Sequence, residues 1–321
     1  MKAARIHRFG PPDAIVIDNV PRPSPGADEV LVRVSHAGVG PWDALIREQK
    51  SVVQATLPIT LGSDLSGTIE AVGPGVTRFE PGDAVYGVTN PEFIGAYAEF
   101  AIAKAGMIAR KPESLSFSEA ASVPVVAVTA WQMLFEYAKA TAGQKILIHG
   151  AGGNVGAYAV QLAAQAGMDV IATASAEDES YVRSLGAATV VDYKRRRFEE
   201  VASHVDVVLD MVGGETRDRS FPIIKPGGIL VSVVSQPLAK SGAEKVRAVF
   251  FLVEVTTGRL DTISSLFDQG RLIPRVGSVL PLEEAQGAHE MLAGAPHKPG
   301  KIVLEIAGQM PREDELRLAR R

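Results

Sequence analysis

The sequence contains no cysteine. That absence excludes disulfides, a thiolate nucleophile and any cysteine-ligated zinc, and it suits a reducing compartment. Basic residues are not in excess: 33 lysines and arginines face 37 acids, for a formal charge of -4. Nucleic-acid and membrane surfaces call for a basic patch, so neither partner is expected. Long apolar runs are missing as well. The most hydrophobic stretch, SVPVVAVTAWQMLF, is broken by Pro124, Thr129 and Gln132, which argues against a membrane span. The opening MKAARIHRFG lacks the apolar core of a signal peptide, and a cytoplasmic location is the expectation.

What is present is ordinary globular material. The chain has 321 residues, 46% hydrophobic and 22% charged, enough for two domains with a core each. Over the first third, EVLVRVSHAGV alternates with period two, and SGTIEAVGPGV and PGDAVYGV pair short strands with Pro-Gly turns. PWDALIREQK reads as one or two helical turns between them. Residues 1 to about 120 are thus expected to form a β-barrel or sandwich. From about Glu119 the pattern becomes helical, and then helices alternate with the apolar strands KILIHG, DVIATA, TVVDY, VDVVLDMV and GGILVSVVS. That alternation predicts βαβ units and a parallel sheet. After about residue 265 the texture is mixed again, and the charged tail GQMPREDELRLARR reads as a surface helix or disordered segment.

Between KILIHG and a helix-like NVGAYAVQLAAQAG stand glycines 150, 152, 153 and 156. Strand, glycine turn and helix form the context in which a pyrophosphate can lie against the backbone at a helix N-terminus. The second strand then ends in Thr173, Ala174 and Ser175, which leave room for a 2′-phosphate and favour NADPH. Glu177, Asp178 and Glu179 follow, and they either charge the next helix start or bind a ribose hydroxyl, which would favour NADH. Tyr193 and the run KRRR (194–197) either bring positive charge to the phosphate or are solvated.

These stretches, with LGSDLSGTIEAVGPGVTRFEPGDAVYGV, GAYAEF, VRSLGAATVVDY and KPGGILVSVVS, resemble the zinc-independent quinone oxidoreductases of the medium-chain dehydrogenase/reductase superfamily. The resemblance runs from residue 1 to about 306. It implies a fold of α/β plus β class, with a GroES-like barrel from residues 1–122 and 266–321. A Rossmann domain, a doubly wound parallel sheet over 123–265, would be inserted in it, with the active site in the cleft. The superfamily's zinc branch carries G-H-E-x-x-G, where this sequence has Gly62-Ser63-Asp64-Leu65-Ser66-Gly67. His36 stands alone beside a strand, and no metal is expected.

The resemblance places cofactor contacts at Thr129, Gly150, Gly153, Val155, Gly156, Ser175, Tyr193, Gly213, Val234, Ser235, Phe251 and Val253. Lys301 either supplies a further positive charge or is an exposed strand-end lysine. On the substrate side the family's asparagine and tyrosine positions hold Gly40 and Leu45, which implies a more apolar pocket. Trp42 either shapes that pocket or belongs to the core. Trp42, Asp43 and Leu45 are the substrate-pocket candidates the resemblance offers. Asp43 and Arg47 match the family, and their spacing of four suggests a helical ion pair, so a structural role stands beside a functional one. The implied activity is hydride transfer from NADPH, with NADH possible, to a quinone or an α,β-unsaturated carbonyl, in a homodimer. An enoyl-thioester reductase and a non-catalytic NADPH-binding or regulatory protein are the alternatives.

Overall fold

The computed structural model describes residues 1–53, 56–236 and 245–306. The charged tail and the start of the KSGAEKVRAVFF stretch lie outside these described residues. In chain order come β1 (Lys2–Ile6), β2 (Ile15–Asn19), β3 (Glu29–Val39), α1 (Pro41–Arg47), β4 (Ile59–Thr60) and β5 (Asp64–Val72). β6 (Ala84–Val88), β7 (Phe100–Lys104), β8 (Ile108–Arg110), α2 (Phe117–Ala121) and α3 (Pro124–Trp131) follow. Next are β9 (Lys145–His149), α4 (Asn154–Gln165), β10 (Asp169–Ala174), α5 (Glu179–Ser184), β11 (Thr189–Asp192), β12 (Val205–Asp210) and α6 (Gly214–Ser220). The chain then runs through β13 (Ile224–Ser232), β14 (Arg247–Phe250), α7 (Thr257–Asp268), β15 (Val276–Pro281), α8 (Ala285–Leu292) and β16 (Lys301–Glu305).

Two compact units result. The first holds residues 1–124, 255–268 and 274–321, and the second holds 125–254 and 269–273. Helix α7, up to residue 265 assigned to the second domain from sequence, packs in the first unit. Its anchors are specific: Tyr86 donates to the Leu260 carbonyl at 2.8 Å, and Thr257 Oγ1 donates to the carbonyls of Ala105 and Ile108.

In the first unit, β3 is the organising strand. It pairs with β5, β7 and β16, within a sheet ordered β15-β16-β3-β5-β6-β8 with β7 alongside, and a second sheet runs β2-β1-β4. Alternate residues of these strands point inward, and Val30, Val32, Val34, Ile69, Val85 and Ile302 meet in one apolar core. This is the GroES-like unit.

The second unit carries the order β11-β10-β9-β12-β13-β14, every pairing parallel. Counted by appearance within the unit this is 3-2-1-4-5-6, the doubly wound dinucleotide-binding arrangement, whose strand order reverses between β9 and β12. Fully apolar runs such as Ile146–Ile148 and Val207–Leu209 suit strands covered on both faces. One strand carries no sequence signal: the RAVF of β14, which the structure pairs parallel with β13. Four residues without alternation give too short a signal.

Candidate functional site

The glycine turn follows β9, at the point where the strand order of the second unit reverses. Gly150 has φ +72°, a left-handed conformation that side chains resist. A Cβ at Gly156 would collide with the Gly150 carbonyl and lie 2.7 Å from the Ala151 Cα. Glycine there lets the first turn of α4 press directly on the loop. Gly153 begins the helix without a side-chain cap, so the first-turn N–H groups of Asn154, Val155 and Gly156 are left for a ligand or water.

Behind the turn lies a hydrogen-bond chain around buried His149. Ser220 Oγ donates to the Thr216 carbonyl and therefore accepts from His149 Nε2 at 2.9 Å. Thr173 Oγ1 accepts from the Gly150 N–H and faces His149 Nδ1 at 3.2 Å. The imidazole is thus a neutral Nε2–H tautomer, and burial pushes its pKa down to about 4. Its work is to fix the turn.

A cavity of about 510 Å³ opens at the C-terminal ends of these strands, lined by Gly150, Thr173, Tyr193, Val212 and Arg219 together with the 194–197 run. Most of its cations are engaged. Arg196 meets Glu200, Arg197 and Arg219 share Glu199, and Arg195 lies 3.6 Å from Asp192. The two-point hydrogen bond from Arg219 pulls the Glu199 pKa down to about 2. Lys194 lines the same cavity with no ion pair among the described residues.

The acidic trio divides. Glu179 pairs with Arg183 one helical turn on, and Glu177 is exposed. Asp178 turns toward the glycines: it accepts from Ser175 Oγ, and a Cβ on Gly152 would lie 2.8 Å from its Oδ2.

The other expected cofactor-side positions are also in the second unit. Thr129 is buried and its hydroxyl donates to the Val125 carbonyl of its own helix. Gly213 has φ +77° and a Cβ there would meet Val234 at 2.9 Å, so the two segments touch. Phe251 is buried against Tyr137 with rings 4.1 Å apart, which leaves Val253 half-buried beside it.

Lys301 is elsewhere. It is 1% exposed, in the first unit, with Nζ 3.0 Å from Asp64 and 4.1 Å from the Trp42 ring centroid. An exposed strand-end lysine is therefore corrected to a buried ion pair, because β16 lies inside the sheet beside β3. Trp42 is half-buried and its Nε1 donates to Ser63 Oγ at 2.9 Å. Leu45 is 45% exposed. His36 sits within β3, its Nδ1 at 3.0 Å from Ser35 Oγ, with its pKa lowered by burial. Among the described residues no three His, Asp or Glu side chains gather as a metal-ligand set.

The expected Asp43–Arg47 ion pair does not form. Asp43 Oδ2 accepts from the Gly40 N–H at 2.8 Å and from Tyr97 Oη at 2.9 Å, closing the start of α1. Arg47 instead donates to the Gly10 carbonyl, to Glu48 and to His289 Nδ1. Burial pushes the Asp43 pKa up to about 7, against the opposing pull of the Gly40 bond and of Lys301. A carboxyl whose pKa rises on folding stabilises fully below its unfolded value and loses that contribution as pH climbs through the folded one. Asp43→Asn, which cannot ionise, should therefore gain Tm relative to the wild type between about pH 4 and about pH 7. A Tm difference that does not change over that window would refute this.

Two stretches of the chain match known families. Residues 26–113 match the alcohol dehydrogenase GroES-like domain, and 185–304 match the zinc-binding dehydrogenase model. The quinone oxidoreductase of Mus musculus is 31% identical over 95% of this chain and 97% of its own length. The chain belongs to the quinone oxidoreductase family of the medium-chain dehydrogenase/reductase superfamily. Among solved structures, the quinone oxidoreductase from Coxiella burnetii superposes with a TM-score of 0.87 at 32% identity, over 96% of this chain and 99% of that one. An alcohol dehydrogenase superfamily protein from Novosphingobium aromaticivorans gives 0.88 at 32%, covering 96% of this chain and all of its own.

Two residues of this quinone oxidoreductase family member escaped sequence reasoning. Asp210, at the end of β12, accepts from the N–H groups of Val212 and Gly213 and from Ser232 Oγ, which shapes the loop that meets Val234. An aspartate three residues before a Gly-Gly pair is the turn signal that could have found it. Arg217, nearly fully buried, donates to Ser235 Oγ at 2.7 Å and so tethers the expected cofactor-side Ser235. Nothing in the local sequence announces that contact.

Proposed function

We propose that this oxidoreductase transfers hydride from NADPH to a quinone or an α,β-unsaturated carbonyl without zinc. The observation that carries the reading is the glycine turn at the head of α4, where any side chain at Gly156 would close the backbone approach. The turn and the adjoining cavity fit a dinucleotide: uncapped N–H groups for the diphosphate, and a basic rim beside the turn. When bound, the nicotinamide supplies the hydride. Lys194, with no carboxylate partner among the described residues, would hold a 2′-phosphate, and Asp210 and Arg217 would keep the flanking loops in place. A quinone or enone delocalises the incoming charge, so positioning in a dry site replaces much of the help a Lewis acid gives a plain carbonyl. Serine at position 63, the engagement of Asp64 by Lys301 and the lack of cysteine support the zinc-free form of the proposal. We further propose a homodimer paired through β14, the sheet's edge strand among the described residues.

The test is NADPH and NADH oxidation across quinones and enones, with Lys194→Ala beside the wild type. NADPH is expected to be preferred, and the variant to bind it about tenfold more weakly while NADH is unchanged. Faster turnover with NADH would move the reading to a ribose contact from Asp178, which already turns toward Gly152.

A further inference from the structure

In a dinucleotide-binding sheet the adenosine ribose lies by the end of the second strand, here β10. That strand end offers no cation in this chain: Ser175 and Ala176 are followed by Glu177, Asp178 and Glu179. Positive charge stands one strand further out, in the turn at 193–197 that follows β11 and lines the cavity beside the glycine turn. The pairing of β10 with β11 sets Asp192 opposite Ala174, and the Tyr193 N–H donates to the Ala174 carbonyl at 3.2 Å. The turn therefore begins at the level where β10 stops.

Asp192 shapes what comes next. Its Oδ1 accepts the Lys194 N–H at 3.0 Å, and its carbonyl accepts from the N–H groups of Arg195 at 3.1 Å and Arg196 at 2.9 Å. Three successive amides thus wrap around one residue, the first held by its side chain and the other two by its backbone. The Asp192 side chain is 13% exposed, with Oδ2 3.6 Å from Arg195 Nε. Glu200 engages Arg196, and Glu199 engages both Arg197 and Arg219. Lys194 is left as the cation of the cavity rim with no ion pair among the described residues.

We infer that Asp192 is a positioning residue: it holds the Lys194 backbone so that the ammonium meets the 2′-phosphate, and through Lys194 it sets the preference for NADPH over NADH. This rests on the NADPH reading above. Charge alone gives the opposite sign. A carboxylate close to a phosphate repels it, so removing the Asp192 charge would tighten NADPH binding. A carboxylate that holds the turn has the reverse effect when removed, because Lys194 must then be ordered at the moment of binding.

The test is a nicotinamide-fluorescence titration of the full chain with NADPH and with NADH, which differ only in the 2′-phosphate. Asp192→Ala should cut the ratio of NADPH to NADH affinity about fivefold. Asp192→Asn, which keeps an oxygen acceptor for the Lys194 N–H, should retain most of the ratio. Combined with Lys194→Ala, Asp192→Ala should add little, since both changes act on one contact. A ratio that is unchanged or raised in Asp192→Ala, or two effects that simply add, overturns the inference and leaves the NADPH reading intact. Should Asp192→Ala fail to fold, Asp192→Asn decides by the same sign: a retained ratio supports the holding role, and a raised one overturns it. A wild type with no preference for NADPH overturns the NADPH reading and this inference with it.

Discussion

Gly156→Val is expected to weaken NADPH binding by at least about a hundredfold and to lower the melting temperature by several degrees, on the scale of overpacked interiors that cost ~1–3 kcal/mol. The atoms a Cβ would strike at residue 156 are backbone: the Gly150 carbonyl and the Ala151 Cα. Neither can rotate away, so α4 must retreat from the turn, and its first-turn N–H groups leave with it. Gly152→Ala is the informative contrast. Its Cβ would meet the Asp178 side chain, 2.8 Å from Oδ2 and 3.1 Å from Cβ, so the carboxylate can swing aside and the rest has only a few tenths of an ångström to give. Thermal melts and a fluorescence titration with NADPH check both. Equal losses in the two variants would contradict the assignment of close backbone approach to residue 156.

Lys301→Met should be among the most destabilising single changes in the chain. The lysine is 1% exposed and the partner Asp64 is fully buried, so removing the ammonium takes the ion-pair partner from a carboxylate closed off from water. Breaking a buried pair in this way costs about 3–5 kcal/mol, whereas removing both charges is often close to neutral. The double variant Lys301→Met with Asp64→Leu should therefore recover most of the loss in a denaturant melt. Failure of the second change to restore stability would mean that the lysine acts through its packing on Trp42 rather than its charge.

The two sites were not equally open to sequence reasoning. The glycine turn was legible because its logic is local: four glycines between an apolar strand and a helix can be read within a dozen residues. The strands β9, β10, β12 and β13 were legible for the same reason, being apolar runs between helix-length segments. The cluster around Asp43 was not. Its carboxylate takes one hydrogen bond from Tyr97, 54 positions further along the chain, and Lys301 reaches Asp64 from the far end of the sequence. Spacing of four on a helix pointed instead to Arg47, a neighbour in the helical sense, and tertiary packing overrode it. Asp178 illustrates a middle case. Composition identified an acidic helix start, but only the lack of a Cβ on Gly152 explains why one of the three acids can lean toward the turn.

The short return of residues 269–273 to the second unit has a consequence for how the chain can be divided. Gln161, buried on α4, donates to the Ile273 carbonyl at 3.2 Å and accepts from its N–H at 2.8 Å, and Gln165 donates to the Arg271 carbonyl. The dinucleotide-binding unit is thus completed by a five-residue strap that arrives only after an entire helix of the other unit has been laid down. A gene fragment ending at residue 254 would leave the Gln161 amide only its 3.3 Å bond to the Ala157 carbonyl of its own helix. During synthesis, the last backbone partners of this unit become available only once residue 273 has left the ribosome.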